Sequence, residues 1–114
     1  MRPITRLKKE WRDICMQNKA SLAFYNALND LPPPDGVDKS CTFADTEIIL
    51  FPKRHDLLTQ WIALIKGPPD SPFQNARFQL NIQIPVQYPH TPPSVHFVTP
   101  ICHPNVHFKT GEIC

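Results

Sequence analysis

His103-Pro104-Asn105-Val106-His107-Phe108-Lys109-Thr110-Gly111-Glu112-Ile113-Cys114 closes the sequence. Pro104 fixes a turn that carries the Asn105 amide, a short polar loop with one glycine follows, and a thiol ends the stretch. The Asn105 amide is a neutral group with two donor hydrogens, able to steady a developing negative charge. Cys114, as its thiolate, is the strongest side-chain nucleophile available near neutral pH. The two together have the makings of an acyl-transfer site with no built-in histidine base. Each also has a plainer reading. A lone cysteine is more often a bystander than a catalyst, and an asparagine after proline can simply satisfy its own backbone in a turn.

The rest of the composition fits one modest domain or a part of one. The chain has 114 residues, 41% hydrophobic and 19% charged, an ordinary globular balance. A net charge of +2 is too small to argue for nucleic-acid or membrane binding. No apolar run approaches the length of a membrane span, and Met1 to Glu10 is charged without the apolar core of a secretory signal. Four cysteines at uneven spacing then read as reduced, cytosolic thiols, not a disulfide framework. Prolines number 14 against 3 glycines, most of them grouped at 32–34 and 68–104, where they mark stiff connections.

Working back from the terminal segment, Val95 and Phe97 begin a strand, and Phe78, Leu80, Ile82 and Ile84 alternate with Gln79, Asn81 and Gln83 in another. Trp61 to Ile65 and Glu47 to Phe51 are two more β-prone runs. Ile4, Leu7, Trp11 and Ile14, then Leu22, Tyr25 and Leu28, recur at helical spacing, with Arg6, Lys8, Lys9 and Arg12 on the other sides. A solvated face is the plain account of those bases, and a docking surface for an acidic partner is the sharper one. Pro32-Pro33-Pro34 and Asp35-Gly36 break the helical pattern, and Cys41 follows in a long link where it reads as a stray surface thiol. The predicted class is α+β, an N-terminal helix plus a four-stranded antiparallel meander with helical cover on one face.

Two motifs carry a family resemblance. Pro85-Val86-Gln87-Tyr88-Pro89-His90-Thr91-Pro92-Pro93 forms a Pro-x-x-Tyr-Pro-x-x-Pro-Pro corner, and His103-Pro104-Asn105 precedes Cys114. In this order they resemble ubiquitin-conjugating (UBC) enzymes, and the likeness covers about residues 4–28 and 46–114, including Gly67-Pro68 and Ser71-Pro72-Phe73. Phe108-Lys109-Thr110-Gly111-Glu112 is most similar to the peroxisomal members. There are departures: Asn75-Ala76 stands where the family has a glycine pair, His90 where a large apolar residue is common, and Cys102 where an apolar residue precedes the triplet. The family's domain also continues past its cysteine into further helices. Residues 1–114 are therefore expected to be the N-terminal part of one UBC domain, truncated at Cys114, with a Pro-rich insertion at about 29–45.

The resemblance implies a ubiquitin-conjugating transferase that takes ubiquitin as a thioester on Cys114 and passes it to a substrate with a ligase. Asn105 would donate to the oxyanion, while His103 and Pro104 shape the turn. His103, locked before Pro104, suits hydrogen bonding to backbone better than service as a base. Arg6, Lys8 and Lys9 would receive the ubiquitin-activating enzyme, and Tyr88, Pro89 and His90 a RING-type ligase. The site needs no cofactor of its own, since ATP is used by the activating enzyme. Peroxisomal relatives act on import receptors at the cytosolic face of the organelle, held by a membrane-anchored partner, so the implied location is cytoplasmic and peripheral there. Zinc is a rival use of Cys102, His103, His107 and Cys114. It is set aside because adjacent side chains such as Cys102 and His103 diverge, and no C-x-x-C pair is present. A catalytically inactive UBC-like module that only binds pathway partners, or a non-functional fragment, stays open beside the enzyme.

Overall fold

A computed structural model describes residues 3–35 and 48–113. Most of the expected insertion, with Gly36 and Cys41, lies outside the described residues, as does Cys114. The elements are α1 (Pro3–Gln17), α2 (Lys19–Leu28), β1 (Ile48–Arg54), β2 (Leu57–Lys66), β3 (Arg77–Gln83) and β4 (Ser94–Phe97). The four strands form one antiparallel sheet in the order β1-β2-β3-β4, the expected meander. Register runs through pairs such as Leu50 with Ala63, Ala63 with Leu80, and Leu80 with Phe97.

The N-terminal helical stretch is two helices, not one. Asn18 divides them: its backbone N–H closes α1 onto Ile14 at 2.8 Å, while its side-chain oxygen accepts the N–H of Ser21 at 3.1 Å. That second bond is an N-cap, which satisfies an orphan donor at the start of α2 and favours a fresh helix over a continued one.

The alternating pattern of the strands gives the sheet two apolar sides, and the helices use them differently. Leu7 of α1 packs with Leu58 and Trp61, beside Leu50, Ile82 and Tyr88. Ala20 and Tyr25 of α2 pack with Ile49, Phe51 and Ile62, which neighbour Leu50 and Trp61 in the strands and alternate with them. Trp11 joins the two groups, with its ring 5.2 Å from Tyr25 and 6.0 Å from Trp61. Helix α2 also runs beside the outer strand. Asn18 Nδ2 donates to Ile48 O at 3.0 Å, the Leu50 N–H donates to Ser21 Oγ at 3.0 Å, and Asn29 Nδ2 donates to Lys53 O at 3.1 Å. Those bonds occupy main-chain groups that an edge strand otherwise offers to other chains. Helical cover on one face, the simplest expectation, is thus replaced by α1 over a face and α2 along the β1 edge.

Candidate active site

The chain leaves β4 and is first tied back to β3. Val98 N–H donates to Gln79 O at 2.8 Å, and Gln79 N–H donates to Thr99 Oγ1 at 2.9 Å. Four residues on, His103 O accepts the N–H of Val106 at 3.1 Å, which closes a tight turn with Pro104 and Asn105 in its central positions. Proline suits the first of these because its fixed φ already matches the turn. The His103 imidazole adds a second tie: Nδ1 accepts the N–H of Asn105 at 3.0 Å. A ring nitrogen so engaged has no lone pair to offer a reacting proton, so His103 fixes the turn in this geometry. Asn105 is exposed, and among the described residues its side-chain amide has no hydrogen-bond partner. The amide is therefore not consumed by a self-satisfying turn.

From Val106 the chain makes a small hairpin. Val106 and Ile113 form an antiparallel bridge, and His107 N–H donates to Glu112 O at 2.8 Å. Residues 111–113 then lie between this bridge and β4, where Phe97 N–H donates to Gly111 O at 2.9 Å and His96 bridges Glu112. Gly111 has φ +75°, and a Cβ there would stand 2.2 Å from Phe97 O. No side chain fits that approach. The backbone entering Cys114 is thus held by β4 on one side and the 106–107 segment on the other, with Cys114 itself outside the described residues.

Gly111→Ala is accordingly expected to detach this segment from β4 while leaving the sheet intact. A left-handed alanine costs about 1–2 kcal/mol before any clash, and the clash is with backbone, which cannot rotate away. The amides of Phe97, His107 and Gly111 should exchange at least about tenfold faster. Unchanged protection at all three would count against the close approach.

Beneath the turn runs an aromatic chain that the sequence pattern did not reveal. His103 packs on Phe73 with ring centroids 5.8 Å apart, Phe73 on Phe78 at 6.0 Å, and Phe78 on Phe97 at 5.9 Å. Phe73 is held by Gly67, where a Cβ would overlap Phe73 O at 1.7 Å. The Gly-Pro turn therefore supports the His-Pro-Asn turn through Phe73. Asn75, at the site of the family's missing glycine pair, has φ +68°, a left-handed conformation that asparagine tolerates better than most residues.

The two candidate docking groups meet. Arg6 donates to Glu10 at 3.1 Å and lies over the Tyr88 ring at 5.8 Å, and the Tyr88 hydroxyl donates to Glu10 at 3.1 Å. Tyr88 is half-buried against α1, whereas Pro89 and His90 are exposed, as are Lys8 and Lys9. The Tyr88–Pro89 peptide bond is cis. Among the described thiols Cys102 is exposed and Cys15 half-buried, and burial pushes the Cys15 thiol up. Among the described residues no group of three or more His, Cys, Asp or Glu is arranged to hold a metal ion.

The sequence model of the ubiquitin-conjugating enzyme family matches residues 37–114, more than half of the chain, with the His103-Pro104-Asn105 turn and the hairpin after it inside the match. Ubiquitin-conjugating enzyme E2 pex4 of Dictyostelium discoideum is 54% identical over 68 residues, covering 60% of this chain and 46% of that protein. Protein PEROXIN-4 of Arabidopsis thaliana is 58% identical over 55 residues, covering 48% of this chain and 35% of that one. The chain thus spans less than half the length of either relative. A Plasmodium yoelii structure described as a ubiquitin conjugating enzyme superposes with a TM-score of 0.65 at 32% identity, over 96% of this chain and 54% of that one. Motif, sheet and turn geometry agree with these likenesses, and the chain belongs to the ubiquitin-conjugating enzyme family.

Proposed function

We propose that the protein is a ubiquitin-conjugating transferase that carries ubiquitin as a thioester on Cys114. The supporting observation is the doubly tied His103-Pro104-Asn105 turn, which presents an exposed amide with no hydrogen-bond partner among the described residues, within a family match that runs to Cys114. The Cys114 thiolate attacks the carbonyl carbon of the ubiquitin thioester on the activating enzyme. The tetrahedral adduct collapses as the activating enzyme's thiolate leaves, and one thioester has replaced another. Such an exchange is close to thermoneutral, so the site must supply position more than a strong base. An incoming lysine amine then attacks the new thioester, Asn105 donates to the oxyanion, and Cys114 departs as thiolate. No cofactor of the protein's own enters these steps, because ATP is spent by the activating enzyme.

The exposed ammonium groups of Lys8 and Lys9 on α1, with Arg6 beside them, suit docking of an activating enzyme that offers acidic groups. Pro89 and His90 suit contact with a RING-type ligase. The two peroxin-named relatives support a peroxisomal setting, in which the protein works from the cytosol on import receptors beside a membrane-anchored partner. Among the described residues no helix is long and apolar enough to cross a membrane.

The test is to incubate the full-length protein with activating enzyme, ATP and ubiquitin, and to run a non-reducing gel. A thiol-labile adduct is the expected result. No adduct, with a positive-control enzyme charged in parallel, would overturn the assignment. A second expectation concerns partner choice. An imidazole at a position where the family commonly has a large apolar residue disfavours a ligase with an apolar groove. His90→Phe should widen the set of ligases that stimulate discharge, and an unchanged ligase panel would remove that role for His90.

A further inference from the structure

We infer that His107 is a positioning residue for this thioester chemistry, acting through imidazole Nδ1 as the acceptor that shapes the 107–112 loop. The inference rests on the assignment of Cys114 as nucleophile.

Nδ1 of His107 accepts two backbone N–H groups, those of Lys109 and Thr110, each at 3.2 Å. The same residue's main chain ties the far side of the loop. Its N–H donates to Glu112 O at 2.8 Å and its C=O accepts the Gly111 N–H at 2.9 Å. One residue therefore organises the backbone of Lys109, Thr110, Gly111 and Glu112. Little apolar packing assists it, since residues 107–110 and 112 are exposed and Phe108 is 90% exposed, away from any core. Glu112 N–H adds a bond to Thr110 Oγ1 at 3.3 Å. A loop with so little buried apolar surface takes its shape from hydrogen bonds.

The geometry is selective about the side chain. The ring must present an unprotonated Nδ1 and carry its proton on Nε2. Asparagine places its Oδ1 the same number of bonds from the backbone and can accept the same N–H groups in an Asx turn. Glutamine places its oxygen one bond further out, at the distance of Nε2, and alanine has no acceptor. The loop so formed brings Gly111 and Glu112 to β4 and Ile113 to Val106. The proposed action of His107 on Cys114 runs through that backbone path.

The experiment compares full-length wild-type protein with His107→Asn, His107→Gln and His107→Ala. Single-turnover loading and lysine discharge are measured, together with amide exchange at Lys109 and Thr110. The Gln and Ala variants should be slower in both steps by roughly tenfold, as expected for losing two modest hydrogen bonds, with the KM for charged activating enzyme unchanged. Their Lys109 and Thr110 amides should exchange faster. The Asn variant should stay within about twofold of wild type in rate and in protection. Equal rates for all four proteins, or an Asn variant as slow as Gln, would overturn the proposal. A wild type that never charges would instead remove the enzyme assignment, while exchange that follows the acceptor series would still place the loop under His107.

Discussion

Cys114→Ala is expected to abolish the ubiquitin adduct altogether, and Cys114→Ser to replace it slowly with an adduct that survives thiol. A serine oxygen forms an oxyester, which thiols do not cleave at the rate they exchange with a thioester. The other cysteines give a contrast built into the same chain. Burial pushes the Cys15 thiol up, which depletes its nucleophilic form at neutral pH. Cys102 is exposed, but it precedes the turn instead of following the hairpin, and among the described residues no cationic group is within bonding distance of it. Cys15→Ser, Cys41→Ser and Cys102→Ser should therefore each load ubiquitin at a rate near wild type. Loading is read on non-reducing gels with and without added thiol, and the modified peptide is mapped by mass spectrometry. A thiol-labile adduct on Cys114→Ala would place the nucleophile elsewhere.

The parts of the fold written in strict alternation or in a fixed local motif were legible in the sequence. Phe78 to Ile82 gave the central strand because each second residue must face apolar neighbours, and the Pro-bounded links left a meander as the simplest connection. The break between α1 and α2 was not legible. Asn18 falls in the eight-residue step between Ile14 and Leu22, which still fits a continued helix, and its effect depends on whether its side chain caps or points away. The placement of α2 along the β1 edge was hidden for a related reason. Asn18, Ser21 and Asn29 read as ordinary polar helix residues until Ile48, Leu50 and Lys53 arrive beside them from across a long link.

The same division runs through the site. His103, Pro104 and Asn105 are adjacent, so their turn could be read from residue type alone. The ring sequence His103, Phe73, Phe78, Phe97 joins four separate segments, and no periodicity in the chain announces it. His107 was visible only as a candidate zinc ligand. Its use as a backbone acceptor follows from the return of the chain to β4, which in turn requires Gly111. Long-range closure of this kind leaves its trace in sequence as one glycine and one histidine.

Asn105→Ala is expected to separate the two half-reactions, slowing discharge to lysine about a hundredfold while slowing loading far less. The reason lies in how much negative charge each step localises on the carbonyl oxygen. In loading, thiolate attacks thioester and a thiolate of similar stability leaves, so little driving force opposes collapse of the adduct. In discharge an amine attacks, and the oxyanion develops more fully before the thiolate departs. Losing one well-aimed amide donor to such an oxyanion costs roughly 3 kcal/mol in the transition state, which is about a hundredfold in rate. The turn gives this expectation its structural footing. Asn105's backbone N–H is committed to His103 Nδ1, and the turn is closed by His103 O and Val106 N–H, so neither tie uses the side chain. Alanine should then leave the backbone path intact, and the amides of Asn105 and Val106 should keep their protection. Asn105→Asp sharpens the test, since a carboxylate of nearly the same shape offers no donor and repels the oxyanion. It should discharge at least as slowly as alanine. Single-turnover discharge of pre-charged enzyme to free lysine, set beside single-turnover loading, measures the split directly. Equal losses in both steps, accompanied by faster exchange at Val106, would show that Asn105 serves the turn and not the reaction.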